Sequence, residues 1–319
     1  MLEMLPLEVL EMFGFELETL ICIQRVSKSW YATIRDKPPR IKTLKNFKKG
    51  LEVWLHILTN VRVTSIINEV SIFSRVHTLD LSYTDVVDVS ALGGVHTLNL
   101  SNTKVTDVSA LGKVHTLNLS YTRVVDVSAL GEGGVHTLDL SWTKVVNVSA
   151  LGEGRVHTLK LTGTKVVDVS ALGGVHTLDL SDTEVVDVSA LAGVHTLNLS
   201  HTEVINVSAL GGVHTLDLSN TPVVDVSALG EGKVHTLNLV GTKVVNVSAS
   251  KGVHTLNLSC TNVVDISALG KVHTLGLTGT RVVDVSALGR VHTLNLSYTQ
   301  VVDVSALCGV HTLIFPIPH

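Results

Sequence analysis

From Val76 onward one phrase returns again and again: Val-His-Thr-Leu-Asp/Asn-Leu-Ser-x-Thr-x-Val-Val-Asp-Val-Ser-Ala-Leu-Gly. Its opening valine stands at 76, 95, 114, 135, 156, 175, 194, 213, 234, 253, 272, 291 and 310. The spacing is therefore 19 residues nine times and 21 three times, the longer ones each carrying a Glu-Gly insertion (132–133, 153–154 and 231–232). Twelve full units precede a partial thirteenth. A fixed period near 20 residues excludes an ordinary globule and points to a solenoid, in which no coil buries its own apolar residues and each does so against its neighbours.

Within a coil the period changes. Around Leu79 and Leu81, apolar and polar residues alternate as in a half-buried strand, and successive coils would stack these strands into a parallel sheet. Val86, Val89 and Leu92 then lie three apart, the stride of a 3₁₀ turn. Asp88 and Ser90 stand where orphan N–H groups of such a turn need side-chain acceptors, and Gly93-Gly94 lets the chain reverse.

Composition agrees. Aromatics are 4% of the 319 residues and apolar residues 45%, so the interior must be filled by Val and Leu. Mean hydropathy is +0.39, which argues against disorder. No apolar run approaches the roughly 18 residues of a membrane span, and the acidic start, Met1 to Glu8, does not resemble a secretory signal. Residues 1–75 carry eleven Lys+Arg and eight Asp+Glu; the rest carry thirteen and twenty. Neither part is basic enough for a nucleic-acid footprint. Cys22, Cys260 and Cys308 form no disulfide or metal motif and read as buried or half-buried thiols in a reducing compartment. The expected location is intracellular, in the cytoplasm or the nucleus.

The repeat resembles the leucine-rich repeat, L-x-x-L-x-L-x-x-N-x-L, with Val76, Leu79, Leu81, Thr84 and Val86 at the signature positions. The resemblance covers about three quarters of the chain. Thr84 replaces the usual Asn, so a threonine ladder bonded along the stack is expected. The segment after it is similar to the short outer side of internalin-type repeats. The implied fold is α/β, a leucine-rich-repeat solenoid with a parallel β-sheet on its concave face. Val61-Arg62-Val63 reads as a cap strand, and Val70 to Arg75 match the register of Val89 to Gly94 in a degenerate first coil. At the other end Val310 to Phe315 form a last strand closed by Pro316 and Pro318, whose apolar edge leaves self-association open.

Ahead of the repeats, Leu5-Pro6-Leu7-Glu8-Val9-Leu10 opens with proline at a helix start, and two further short apolar helices follow up to Ile34. Forty residues bury too little surface alone and leave apolar side chains for a partner. The spacing resembles the F-box, with Leu5, Pro6, Glu8, Val9, Leu10, Leu20, Val26, Ser27 and Trp30 on its pattern. That resemblance implies a small helical module over residues 1–40, docking a Skp-type adaptor and its cullin complex through Leu5, Pro6, Val9, Leu10, Val26 and Trp30. The other reading of these helices is a plain cap on the first coil. Residues 41–75 then form a linker and capping repeat, with Lys42, Lys45, Lys48 and Lys49 on a solvated helix face, and residues 76–319 the solenoid. F-box and leucine-rich repeats together resemble substrate receptors of cullin–RING ubiquitin ligases. The near-identity of the coils is similar to repeat proteins of large DNA viruses of protists.

Two columns invite a chemical reading. Histidine holds the second position of every coil, from His77 to His311. No further ligand accompanies each at the spacing a closed zinc site needs, so an imidazole ladder, bonded between rings or to backbone, is expected and no metal. Asp and Asn at the fifth position (Asp80, Asn99) lack the separate environments that distinguish an acid from a base. No nucleophile elbow or phosphate loop occurs, so the chain reads as a non-enzyme without cofactors.

Choice of partner then falls to the positions that vary. The eighth runs from Tyr83 through Tyr121 and Trp142 to Tyr298; the tenth carries Lys104, Arg123, Lys144 and Lys165 in four successive coils, with Lys160 nearby. Tyr83, Lys104, Tyr121, Arg123, Trp142, Lys144, Lys160 and Lys165 are the expected partner-binding residues, aromatics beside cations being the usual makings of a hot spot. Asp182, Glu184 and Glu203 then reverse the sign, as suits an acidic or phosphorylated target docking on the basic stretch.

Overall fold

The computed structural model describes residues 40–41, 60–63, 70–152, 154–230 and 233–315. They belong to two compact units, Met1–Val145 with Glu153–Val156, and Val146–Gly152 with His157–His319. The expected helical module lies outside the described residues, Arg40 excepted, and with it Leu5, Pro6, Val9, Leu10, Val26 and Trp30. Lys42 to Lys49, Cys22, Pro316 and Pro318 lie outside them too.

In the first unit β1 (Arg40–Ile41), β2 (Asn60–Val63), β3 (Thr78–Asp80), β4 (Thr97–Asn99), β5 (Thr116–Asn118) and β6 (Thr137–Asp139) pair in chain order, all parallel. Register matches like with like: Leu79 opposite Leu98, Leu98 opposite Leu117, Leu117 opposite Leu138. The sheet thus begins before the first recognisable phrase. Arg40 pairs with Arg62, and Arg62 with Asp80, which it also meets in an ion pair at 3.2 Å. In the second unit β7 (Thr158–Lys160), β8 (Thr177–Asp179), β9 (Thr196–Asn198), β10 (Thr215–Asp217), β11 (Thr236–Asn238), β12 (Thr255–Asn257), β13 (Thr274–Gly276), β14 (Thr293–Asn295) and β15 (Thr312–Ile314) repeat the arrangement.

Each coil points six apolar side chains inward. In the first these are Val76, Leu79, Leu81, Val86, Val89 and Leu92, none more than 3% exposed. Phe73 fills the place of Leu92 one coil earlier, at the end of a 3₁₀ turn over Ser71–Phe73. The return side is made of single 3₁₀ turns such as Ser90–Leu92. Two exceptions, α1 (Ser128–Gly131) and α2 (Ser149–Gly152), are single α turns, and each precedes a Glu-Gly insertion that supplies the extra length. Among the described residues the α part of the expected α/β class is no more than these two turns. Glycine is required where coils crowd: a Cβ on Gly93 would sit 2.3 Å from the carbonyl oxygen of Ala110.

One coil breaks the packing rule. Ser250 stands where the others carry Leu; it is fully buried, and its hydroxyl has no hydrogen-bond partner. At the C-terminal end β15 is exposed throughout, with Leu313 and Ile314 among the exposed apolar side chains.

The polar columns close each coil on itself. Ser90 N–H donates to Asp88 Oδ1 at 2.9 Å, the bond expected for the turn, and Asn147 serves Ser149 identically. Ser82 N–H donates to Asp80 Oδ1 at 3.0 Å. The threonine column differs from expectation. Thr84 Oγ1 donates to the carbonyl of Leu81 at 2.6 Å, within its own coil, and every later coil repeats the bond, so no ladder of threonines runs along the stack. The carbonyl three residues back lies within the hydroxyl's reach and takes up its proton locally.

Candidate protein-interaction surface

Among the described residues the backbone turns left-handed at the eighth position of the coil alone. Tyr83, Asn102, Tyr121 and Trp142 have φ of 60°, 56°, 58° and 59°. In the second unit Gly163, Asp182, His201, Asn220, Gly241, Cys260, Gly279 and Tyr298 do the same. The N–H of most of these residues is thereby aimed at the carbonyl of the seventh residue of the following coil, as Tyr83 N–H is at Ser101 O (3.0 Å) and Asn220 N–H at Val240 O (2.7 Å), and the side chain is thrown outward. This column is therefore variable at the surface yet constrained in the backbone. Glycine, Asn and Asp recur in it because they tolerate positive φ; that recurrence is the sequence signal by which the turn could have been found.

Aromatics are costly there, and the first unit has three. Tyr121 and Trp142 stack, ring centroids 6.0 Å apart and planes 12° from parallel, while remaining about half exposed (54% and 48%). Tyr83 stands two coils before Tyr121 and is more exposed still. Arg123 and Lys144 flank the pair on the same coils and are exposed. Lys104 is exposed but engaged: its Nζ meets Asp85 Oδ1 at 2.6 Å. In the second unit Lys160 and Lys165 are exposed, and Lys165 is held by Glu184 in an ion pair. The expected row of four cations is thus two unpaired residues beside the aromatic pair in the first unit, with Lys104 and Lys165 each matched to an acid one coil away.

Cys260 and Cys308 are exposed rather than buried. Cys260 occupies the outward left-handed position, and Cys308 follows the last 3₁₀ turn. A further exposed column escaped the sequence reading. Val87 and its equivalents at position 12 remain more than half exposed (Val125 56%, Val186 53%), although they sit beside the buried Val86 column.

The histidines stack. In the first unit His77, His96, His115 and His136 have centroids 4.5, 4.7 and 5.0 Å apart; from His157 to His311 the range is 4.3 to 4.9 Å. Nδ1 of each ring lies within 3.5 Å of the Oγ1 of the next residue, as His96 does with Thr97 at 3.2 Å. Within each unit the rings are ordered by stacking and by threonine. Desolvation first, and then the adjacent imidazoles, hold His115, His176 and His292 below the ordinary histidine range. At position 13 the serine N–H and hydroxyl hold Asp88, Asp126 and Asp225 below the ordinary carboxylate range. Every such carboxylate has the same surroundings, the signature of a structural column. Among the described residues no three His, Cys, Asp or Glu side chains gather as a metal site, and no helix is long and apolar enough to cross a membrane.

With this geometry in view, solved structures give the match. An internalin, InlF of Listeria monocytogenes, aligns over 100% of both chains with a TM-score of 0.73 at 19% identity. The fold is the leucine-rich repeat. A leucine-rich-repeat protein of Leptospira interrogans follows, with a TM-score of 0.63 and 18% identity over 78% of this chain and 75% of its own. The plant peptide hormone receptor RGFR1, in complex with RGF2, aligns over 77% of this chain and 49% of its own, with a TM-score of 0.56 and 14% identity. No protein-family model and no curated protein sequence matches the chain.

Proposed function

We propose that the chain is a non-catalytic binding protein that holds a protein target on the aromatic and basic face of its first unit. The observation that carries this reading is the Tyr121–Trp142 pair. Two large rings are kept half exposed, on a backbone conformation that disfavours them, where glycine serves in other coils. Strain kept without a packing benefit marks a site of function. Arg123 and Lys144 beside the rings suit an acidic or phosphorylated segment. The same fold is used by RGFR1, a receptor solved with RGF2.

The finer reading assigns residues 1–40 to a Skp-type adaptor and so makes the protein a substrate receptor of a cullin–RING ubiquitin ligase. Its support is the F-box pattern from Leu5 to Trp30. A second reading, in which those helices only cap the array, draws on β1: the sheet already includes Arg40 and Ile41, the residues at the end of that segment in the sequence.

Binding assays on the intact chain separate these readings. Trp142→Ala with Lys144→Glu is expected to weaken target capture by about 2 kcal/mol or more, roughly 30-fold; unchanged capture removes the proposed surface. Leu10→Glu with Trp30→Ala is expected to abolish co-purification of adaptor and cullin while leaving target capture intact. Failure of the unaltered chain to retain adaptor leaves the capping reading.

A further inference from the structure

The opening valine of every coil but the last is buried, and the residues on either side of it face outward together. Arg75-Val76-His77, Lys271-Val272-His273 and Arg290-Val291-His292 all run exposed, buried, exposed, the valine being extended between a turn and the bend at the histidine, as at Val175 (φ −71°, ψ 133°). The residue before the valine therefore shares an edge of the sheet with the histidine ladder. It is Arg75, Lys113, Arg155, Lys233, Lys271 or Arg290 in six coils and glycine in the other seven; it is never acidic. All six cations are exposed, and among the described residues none of them is in an ion pair, in contrast to Lys104 and Lys165.

In each unit this edge is a single file of imidazoles 4.3 to 5.0 Å apart, interspersed with unpaired cations. Threonine Oγ1 engages Nδ1, which leaves Nε2 on the opposite side of each ring. We propose that this edge binds a linear phosphate chain, laid along the row of imidazoles with Nε2–H groups and the neighbouring Lys and Arg donating to its oxygens. The imidazole faces of the strip are taken up by one another and offer no free platform on which nucleic-acid bases could stack, and Tyr121 and Trp142 belong to the eighth position. An extended acidic peptide turns alternate carboxylates away from one face, whereas every unit of a phosphate chain carries charge and no side group.

The surrounding charges permit it. Glu132, on an insertion, stands four residues before His136 in the sequence. On the strands Asp80, Asp139, Asp179 and Asp217 each accept at Oδ1 from a serine N–H, and Lys160 on its strand and Lys251 on its 3₁₀ turn add positive charge. The formal charge of −4 with neutral histidines opposes unspecific anion binding at neutral pH. Because the bound chain favours imidazolium, affinity must increase as pH falls through the histidine range.

Calorimetry of the full chain with long-chain inorganic polyphosphate tests this. Affinity is expected to rise about tenfold from about pH 7.5 to about pH 6, with net proton uptake. Lys113→Gln, Arg155→Gln, Lys233→Gln, Lys271→Gln and Arg290→Gln together are expected to weaken binding about tenfold or more at about pH 7.5. His176→Gln with His195→Gln is expected to blunt the rise in acid. Binding that is absent, or that survives the five substitutions, overturns the proposal. So does tighter binding of heparin or single-stranded RNA. Loss through Lys104→Gln, Arg123→Gln and Lys144→Gln instead would place the anion on the target-binding face, so the two proposals fail separately.

Discussion

The left-handed position holds Tyr83, Asn102, Tyr121 and Trp142 in the first unit; in the second, five of its eight occupants are Gly163, Asp182, Asn220, Gly241 and Gly279. The buried columns are the same in both, Val and Leu at equivalent places with exposures of a few per cent. Packing thus asks nothing different of the two units, and backbone strain does. The second unit mostly relaxes that strain with residues that accept positive φ, and the first retains bulky rings in spite of it. Exposure alone would have ranked the position-12 valines as highly as the aromatics, yet they are nearly invariant from coil to coil and sit on ordinary backbone. Position, strain and variation together single out the first unit.

Ser250 allows the sharpest trial of the premise that the units share one core. Restoring the column with Ser250→Leu removes an orphan buried hydroxyl and adds a buried side chain, so unfolding free energy is expected to rise by about 2–3 kcal/mol in denaturant titrations. A loss instead would mean that neighbouring side chains have closed the space, and the second unit would no longer be packed as the first is. Smaller in effect, Tyr83→Gly is expected to raise stability by about 0.5–1 kcal/mol, the left-handed penalty less the entropy of glycine. Asp182→Gly, in the second unit, is expected to change it by only a few tenths of a kcal/mol. Equal gains in both units would break the argument from strain.

The gentlest trial is titration. His115, His176 and His292 have folded pKa values below the unfolded value of 6.5. The unfolded chain therefore takes up protons first, and stability falls as pH drops below that value. Asp88, Asp126 and Asp225 add a further decline as pH falls below the unfolded carboxylate value of 3.8. Asn147 already makes the same bond to its serine, so Asp126→Asn is expected to leave the melting temperature unchanged at neutral pH and to lessen the decline in acid. Melts that are flat from neutrality to pH 5 would contradict the histidine contribution.

Much of this was legible from residues alone. The period set the strands, the three-residue stride set the turns, and the six inward positions could be named before any coordinate. Three things were hidden for physical reasons. A sequence does not say which carbonyl a threonine reaches, so the intracoil bond was mistaken for a ladder. The sign of φ at the eighth position was encoded in Gly163, Asn102 and Asp182, but variability there resembles freedom. The Lys and Arg before the valines are spread over non-adjacent coils and form a strip only once stacking aligns them. The strand at Arg40–Ile41 is too short to announce itself, and residues 1–39 lie outside the described structure.

Because Thr84 is satisfied by Leu81 and Ser90 by Asp88, these side-chain fastenings are made within each module, and what a module shares with its neighbours is the same core and the same backbone ladder in every coil. A gene encoding such units can gain or lose one by unequal recombination without needing a compensating change elsewhere. The number of rungs is then an evolvable trait, and reach along the molecule can be lengthened as readily as a sentence takes another clause.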